Sequence, residues 1–406
     1  MDEYLFSGLK VIDAASVIAG PAAAMMLADF GADVIKIEEP GGGDMLRILS
    51  NMPGTKEGAK DYMWQMDGRN KRSIVLDLKT HGGLEVLHKL VEGCDVFITN
   101  MPYPSRTAFQ LTYEDLRPKN PNMIYASLTA YGEKGPERNR KGFDQLAYWA
   151  RSGLMELMRE TETEPAQGLA GMGDHPTAVS IYAGIVTALL KRERTGKGSF
   201  VQTSLLANGL WSCSAIAQGV MAGADMEHFR ELRKISGYLM KVYRTKDDRW
   251  LQFNMVRNEE LLNKLFMVLD ATHLFLDERF ETPMAMYHNR EVLGEIVQDI
   301  VKQKTAAQWM SLFDQFDVPV NLVGIVEELP FDEQVLANRL ASVPEGDETQ
   351  MPLLVNHPLQ ISDVEHVPFQ NPPKLGEHTR SILQELDYNG QQIQHLISTG
   401  AVELLS

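Results

Sequence analysis

Short apolar runs alternate with helical segments through the first part of the chain. The runs rich in valine, isoleucine and leucine predict strands at Leu9–Ala15, Val34–Ile37, Ser73–Leu78, Asp95–Asn100, Met123–Leu128 and Phe200–Ser204. Helical periodicity between them predicts helices at Pro21–Phe30 and Gly82–Val91. Because strands that alternate with helices pair in parallel, the pattern predicts an α/β fold with a doubly wound, mostly parallel, Rossmann-like sheet.

The pattern changes near residue 223, which divides the chain into three predicted parts. Residues 1–223 form the N-terminal part of a large domain, 224–325 a smaller α+β domain, and 326–406 a C-terminal return to the large domain. In the small domain we expect strands and helices at Leu239–Arg244, Trp250–Met255, Glu259–Leu269, Arg290–Lys302 and Ala306–Phe316. The last part is predicted to contain a helix from Glu327, a strand near Leu359–Asp363 and helices near His378–Leu386 and Gln391–Ser398.

Charge and composition exclude several classes of function. A net charge of −16 argues against nucleic acid or an anionic membrane as a partner. No run of 18 apolar residues is present, and the acidic start is unlike a signal peptide, so a cytoplasmic protein without a membrane span is expected. Cys94 and Cys213 are expected to be core residues. No HExxH, GxSxG or GxGxxG pattern occurs, which disfavours a metal site, a hydrolase serine and a dinucleotide site.

A glycine-rich stretch around Asp174 carries the strongest candidate for chemistry. Gly168, Gly171 and Gly173 precede this carboxylate, and Pro176 opens a segment predicted as a helix through Arg194. Glycines let a ligand approach the backbone and leave N–H groups for an oxyanion, and the helix dipole would favour an ionised Asp174. Such a turn suits a carboxylate nucleophile, although aspartate is also a common helix cap. From these residues alone, both interpretations stay open.

Two basic clusters flank predicted strand ends. One is formed by residues 69–72, and the other by Lys134, Arg138, Arg140 and Lys141. Ligands of α/β proteins bind at strand ends, so both clusters are candidates for holding phosphates. The alternative is that each is a solvated run of surface charge.

Several motifs together resemble the family III CoA-transferases, the CaiB/BaiF family. They occur in the family order between about residues 6 and 390, at residues 8–13, 19–21, 27–38, 70–73, 173–174, 194–198 and 375–379. Within the family the chain is most similar to 2-hydroxyacyl-CoA transferases, such as 2-hydroxyisocaproate or phenyllactate CoA-transferase. That likeness is carried by residues 131–136, 142–144 and 171–175.

The resemblance implies a reaction and a set of site residues. Asp174 would be the nucleophile that forms an anhydride and then an aspartyl-CoA thioester, with Gly171 and Gly173 supplying room and N–H groups. The large domain would bind CoA as a substrate rather than as a permanent cofactor. The CoA-binding positions carried over are Ser16, Val17, Ile18, Ala19, Arg72, Asn100, Met101, Arg106 and Lys141. Acyl-CoA, a carboxylic acid and a second copy in an interlocked homodimer are the implied partners.

Two departures and two alternatives accompany this resemblance. Ile18 stands where the family has a polar residue, and the glycine-rich loop that covers the site in formyl-CoA transferase has no match. An α-methylacyl-CoA racemase would need a histidine where Phe143 stands, because phenylalanine cannot transfer a proton. A non-enzymatic CoA- or nucleotide-binding protein would require Asp174 to be idle.

Overall fold

The computed structural model of this chain describes residues 4–49, 61–160, 163–234, 237–254, 256, 258–344 and 351–405. Its strands are β1 Lys10–Asp13, β2 Asp33–Glu38, β3 Arg72–Leu76, β4 Val96–Thr99, β5 Ile124–Thr129, β6 Ser199–Ser204, β7 Val242–Arg244, β8 Trp250–Gln252, β9 Asn321–Leu322, β10 Ala341–Ser342, β11 Leu354–Val355 and β12 Val402–Glu403.

The α-helices are α1 Ala19–Asp29, α2 Leu46–Leu49, α3 Tyr62–Asp67, α4 His81–Glu92, α5 Tyr103–Ala108, α6 Tyr113–Leu116, α7 Leu154–Met158, α8 Asp174–Thr195, α9 Leu205–Ser212, α10 Ser214–Met221, α11 Met226–Arg233, α12 Glu259–Val268, α13 Pro283–His288, α14 Arg290–Val301, α15 Ala306–Gln315, α16 Glu333–Ala337, α17 Thr379–Glu385 and α18 Gly390–Ser398. A π-helix covers Gln145–Ala150, and 3-10 helices cover Thr272–Leu276 and Val326–Phe331.

The largest sheet has seven strands in the order β12-β3-β2-β1-β4-β5-β6. Neighbouring strands run parallel from β3 to β6, and β12 adds an antiparallel edge. This arrangement confirms the predicted α/β class with a mostly parallel, Rossmann-like sheet. The strand order reverses between β1 and β4, and ligands of such sheets bind beyond the carboxyl ends of the strands at that point.

Alternate residues of each strand feed two separate cores. On β1, Val11 packs with α1 and α8 on one face of the sheet, and Ile12 packs with α4, α17 and α18 on the other. The period of two follows from the pleat of a strand, and apolar residues on both faces are typical of a buried parallel sheet.

The helices that cover these faces begin and end for local reasons. The Oγ of Thr80 caps α4 by accepting the Gly83 N–H. Every residue of α1 is buried, and its alanines allow close packing against α8. Gly196 ends α8 in the left-handed conformation, which glycine adopts without the steric penalty of a Cβ.

One predicted strand is wrong. Residues 359–363 form no strand, and the short strand of this region is β11 instead. The chain turns here because Asp363 has a positive φ of 62°. Leu359 and Val364 pack on the first core from irregular backbone, so apolar side chains alone did not identify a strand.

The chain divides into two units. One comprises Met1–Arg159, Glu164–Gln218 and Glu333–Ser406, and the other Glu160–Thr163 and Gly219–Asp332. The second unit has a three-stranded antiparallel sheet, β7-β8-β9, and its own core around Phe253, Phe266 and Trp309. The predicted helices of this unit occur as α12, α14 and α15, whereas Met255 of its predicted second strand lies outside the described residues. The boundaries expected at residues 223 and 325 stay a prediction.

None of the helices in the described ranges has the length and apolar character needed to cross a membrane. Within the same ranges, no group of three histidine, cysteine or acidic side chains is placed to hold a metal ion.

Candidate active site

Asp174 is the first residue of α8, and Gly173 occupies the N-cap position. The Asp174 carboxylate therefore does not take the capping role that its residue type allows. No hydrogen bond to its side chain is formed by the residues that the structure describes. A partly buried carboxylate without a hydrogen-bond donor is unusual, because buried polar atoms are normally paired. Its oxygen atoms stay open to a ligand.

The turn that precedes Asp174 depends on its glycines. Gly171 has a φ of +85°, which is the left-handed region. A Cβ at Gly173 would lie 2.4 Å from the Tyr148 ring and 2.7 Å from Oδ1 of Asp144. A larger residue at Gly173 would displace these neighbours, so the fold requires glycine there, and the room that Gly171 and Gly173 would give a substrate stays a prediction.

The two glycine N–H groups differ in availability. The Gly173 N–H donates to Oδ2 of Asp144 at 3.0 Å, so the expectation that it serves an oxyanion does not fit this geometry. Asp144 was not assigned a role from the sequence, although it closes the motif at residues 142–144. The Gly171 N–H has no partner among the described residues and stays a candidate oxyanion donor.

Burial raises the pKa of Asp174 to about 7. The negative charge of Asp144 acts in the same direction, His175 opposes it, and Asp67 raises the pKa further. The helix dipole, which was predicted to favour the ionised form, is opposed by these effects. Desolvation and two neighbouring carboxylates outweigh the dipole, which contributes less than about 2 kcal/mol even in favourable geometries. Near neutral pH the protonated and ionised forms coexist.

His175 is held at both ring nitrogens. Its Nδ1 lies 3.1 Å from the carbonyl oxygen of Gly171, and its Nε2 lies 3.3 Å and 3.4 Å from the two carboxylate oxygens of Asp67. Asp67 ends α3 and is fully buried. It was missed by sequence reasoning, because it stands far from α8 in the chain and belongs to no motif. Because both ring nitrogens have partners, His175 has no ring nitrogen free to take a proton from a substrate.

The turn after β1 lies beside this glycine turn. The Ser16 N–H donates to Oδ1 of Asn100 at 2.9 Å, and Nδ2 of Asn100 returns a bond to the Ser16 carbonyl at 2.7 Å. Cδ1 of Ile18 lies 3.5 Å from the position of a Cβ built on Gly171. The turn at residues 16–19 and Asn100 are thus joined at the carboxyl ends of β1 and β4, and Ile18 is the member of the turn that reaches Gly171. Their role in CoA binding stays a prediction.

Val17 in this turn has a φ of +68°, which is strained for a β-branched residue. Oδ1 of Asp44 accepts the Val17 N–H at 2.9 Å and holds the turn. Nζ of Lys36 lies 2.8 Å from Oδ2 of Asp44, and both side chains are buried. Three glycines at residues 41–43 precede Asp44 and lead the chain into this contact.

The first basic cluster is an internal one. Lys71 is buried with its Nζ 2.9 Å from Oδ2 of Asp13, and Arg69 pairs with Asp29. Burial lowers the pKa of Lys71, although the charge of Asp13 opposes this. Neither a solvated surface run nor a phosphate site describes these two side chains, because both are paired with buried carboxylates.

Four further residues were predicted to bind CoA, and two of them, both arginines, are already paired with carboxylates. Arg72 pairs with Asp33 at 2.6 Å. These two residues lie at the amino ends of β3 and β2, whereas Ser16 follows the carboxyl end of β1. Arg106 is buried and pairs with Glu133 at 2.9 Å. Met101 is partly buried and Lys141 is exposed, and only the resemblance assigns these two residues to CoA binding. Their roles stay predictions.

Comparisons with known proteins agree on one family. The model for CoA-transferase family III matches residues 6–379. The (R)-2-hydroxy-4-methylpentanoate CoA-transferase of Clostridioides difficile is 33% identical over 395 residues, which cover 96% of this chain and 98% of that protein. The cinnamoyl-CoA:phenyllactate CoA-transferase of Clostridium sporogenes is 31% identical over 399 residues, covering 97% and 96%. A crystal structure of a CaiB/BaiF family protein from Brucella suis is similar with a TM-score of 0.81, 28% identity, and coverage of 95% and 100%.

Proposed function

The chain belongs to CoA-transferase family III, and we propose that Asp174 is the nucleophile through which it moves CoA from an acyl-CoA donor to a free carboxylic acid. It is an enzyme of the CoA-transferase class, and the substrates of that class are an acyl-CoA and an acid. The aspartyl route, the acids and the site residues are the proposal.

The observation that carries this proposal is the state of the Asp174 carboxylate. It stands at the first turn of a 22-residue helix, beside glycines, without a hydrogen bond from the described residues. A structural aspartate at this position would cap the helix or join an ion pair. A carboxylate that does neither retains the electron pairs that an attack on a thioester requires.

The reaction that follows needs no proton transfer. One Asp174 oxygen attacks the thioester carbonyl carbon, the C–S bond breaks, and a mixed anhydride and CoA thiolate form. The thiolate attacks the aspartyl carbonyl, which releases the donor acid and leaves an aspartyl-CoA thioester. The acceptor carboxylate attacks this thioester, and the thiolate leaves as a second anhydride forms. The thiolate then attacks the acceptor acyl carbon, and Asp174 departs as a carboxylate.

This sequence agrees with the surroundings of Asp174. Both ring nitrogens of His175 are engaged, so this side chain is not free to act as a proton-transfer base. Phe143 is 63% exposed and offers no titratable group in place of a racemase histidine. These features favour transfer over proton abstraction from an α-carbon.

We infer that the acids are 2-hydroxy or enoyl acids with apolar side chains. The support is the naming of two relatives for 2-hydroxy-4-methylpentanoate and for cinnamoyl-CoA and phenyllactate. The turn at residues 16–19 with Asn100 is the proposed contact for CoA, because it adjoins Gly171 at the carboxyl edge of the sheet. The homodimer is part of the proposal, and the mass of the native protein tests it.

An exchange assay tests this function. Isocaproyl-CoA or cinnamoyl-CoA is incubated with a 2-hydroxy acid, and formation of the 2-hydroxyacyl-CoA is followed by chromatography. Transfer should require both substrates, and Asp174→Ala should retain less than about a thousandth of the activity while still binding CoA.

Glu259→Ala is the matched control, because Glu259 is also an acid at the first turn of a helix but lies in the other unit. It should leave transfer unchanged. Full activity in Asp174→Ala would remove Asp174 from the reaction. Deuterium entering the acyl α-carbon from solvent, without transfer, would favour the racemase.

A further inference from the structure

The hydrogen-bond partners of His175 favour a ring that carries a hydrogen on both nitrogens. A carbonyl oxygen can only accept, so Nδ1, which lies 3.1 Å from the Gly171 carbonyl, carries a hydrogen. The backbone N–H of His175 donates to the same oxygen at 3.1 Å. His175 is thereby attached twice to the left-handed turn that precedes Asp174.

The second ring nitrogen faces a buried carboxylate. Nε2 lies within 3.4 Å of both oxygens of Asp67, whose side chain is 1% exposed. An ionised carboxylate also only accepts, so Nε2 carries a hydrogen as well, and the ring is an imidazolium. Burial alone would lower the pKa of His175, but the hydrogen bond and charge of Asp67 outweigh it and raise the pKa.

Asp67 needs a cation for a second reason. It is the last residue of α3, and a negative charge at a helix C-terminus is unfavourable with respect to the helix dipole. No lysine or arginine lies in the last turn of α3. Lys71 also interacts with Asp67 through its charge, but the His175 ring is the cation in contact with it, so removing the imidazolium would leave a buried carboxylate without its contacting partner.

The charges around Asp174 come from three elements. Asp144 precedes the π-helix, Asp67 ends α3, and His175 follows Asp174 on α8. Two of these groups are negative and disfavour an ionised nucleophile. Among the described groups that act on Asp174, His175 is the one that favours the ionised form.

We propose that Asp67 and His175 act as one positioning pair, an imidazolium held by a buried carboxylate that favours the ionised form of Asp174 and holds the Gly171 turn against it. This inference rests on the proposed function, because it concerns the nucleophile of that reaction. The pair acts through its charge and its attachment to Gly171, and neither residue exchanges a proton with the substrate. No bond of the substrate is made or broken by them.

The first test is a spectroscopic one that does not depend on activity. Protein with isotope-labelled histidine is titrated by NMR, and the His175 signal is assigned by its absence in His175→Gln. Both ring nitrogens of His175 should be protonated at pH 7.5 in the wild type, and one should lose its proton at that pH in Asp67→Asn. A neutral ring at pH 7.5 in the wild type would overturn the proposal.

The second test is the pH dependence of kcat/KM for transfer. His175→Gln should move the acid limb to higher pH by about one pH unit or more, because an opposite charge at short range lowers the pKa of a carboxyl by that amount. The rate should fall about tenfold near neutral pH and recover above pH 9. Asp67→Asn should move the limb in the same direction but by less, because it also removes a negative charge that raises the pKa of Asp174. The double variant should move the limb no further than His175→Gln.

His81→Gln is the matched control, since His81 and Glu85 form an exposed pair at 3.8 Å on α4. It should not move the limb. An equal loss of rate at every pH in His175→Gln would show that His175 has a merely structural role. An acid limb that moves to lower pH in Asp67→Asn would show that the two residues do not act as a pair. Wild-type protein without transfer would refute the proposed function, while the NMR result would still judge the pair.

Discussion

Replacing Asp174 with asparagine should make the protein more stable at alkaline pH while it abolishes transfer. Burial raises the pKa of Asp174 to about 7, from an ordinary value of 3.8. The folded state therefore favours the protonated carboxyl. Asp174 therefore does not lower the free energy of unfolding below pH 4, where it is protonated in both the folded and the unfolded state. As the pH rises from 4 to 7 the free energy of unfolding falls, and above pH 7 the loss is constant. Asparagine carries no charge and avoids the penalty.

The size of the effect follows from the shift in pKa. About three pH units correspond to roughly 4 kcal/mol at 1.36 kcal/mol per unit. Asp174 retains some exposure, and solvent screens part of this penalty, so about 2 kcal/mol is the expected gain in the free energy of unfolding. For a folded unit of this size such a gain raises Tm by several degrees, about 2–4 °C per kcal/mol.

Urea unfolding of both proteins between pH 4.5 and pH 8.5 measures the effect. The difference between Asp174→Asn and the wild type should be near zero at the acid end and grow to about 2 kcal/mol at the alkaline end. Asp277→Asn is the control, and it should make the protein less stable instead of more stable, because hydrogen bonds from Arg279 lower the pKa of Asp277 to about 2. The reasoning would be refuted if the difference in the free energy of unfolding did not change with pH. It would also be refuted if Asp174→Asn were less stable than the wild type at pH 8.5.

Two further predictions concern the neighbours of Asp174. Asp144→Asn keeps an acceptor for the Gly173 N–H but removes a negative charge that raises the pKa of Asp174. The acid limb of kcat/KM should therefore move to lower pH, and a pH–rate profile with an unmoved limb would contradict this. Gly173→Ala places a methyl group 2.4 Å from the Tyr148 ring, so we expect a loss of about 1–3 kcal/mol in urea unfolding and of most transfer activity. Gly390→Ala is the matched control, because Gly390 also lies at the start of a helix, has open space around its Cβ position and should retain its activity.

Strands β1 to β6 could be predicted because they are short apolar runs that alternate with helical segments. β1 to β6 all lie within the predicted segments or within one residue of them. β12 could not be predicted, because two residues carry no periodic signal and this strand is defined by pairing with β3. The rejected strand at residues 359–363 shows the reverse error, in which apolar residues pack on a core from a loop.

The site residues also divide into those that the sequence identifies and those that only the fold brings together. Asp174 and the turn at residues 16–19 belong to local patterns that a sequence displays. Asp67 and His175 are 108 residues apart, and only the fold shows that they meet. Charges are harder still: Lys71 looks like a surface residue in a basic run, but it is buried on Asp13. The protonation of Asp174 depends on Asp144 and Asp67, so no local motif predicts it.

The central claim is that Asp174 is covalently modified during turnover. The direct measurement is to mix the enzyme with acyl-CoA, add hydroxylamine, digest the protein and identify the modified residue by mass spectrometry. The account predicts an aspartyl hydroxamate at Asp174, dependent on acyl-CoA and absent from Asp174→Asn. Transfer that proceeds without modification at Asp174, or with the hydroxamate on another residue, would contradict it.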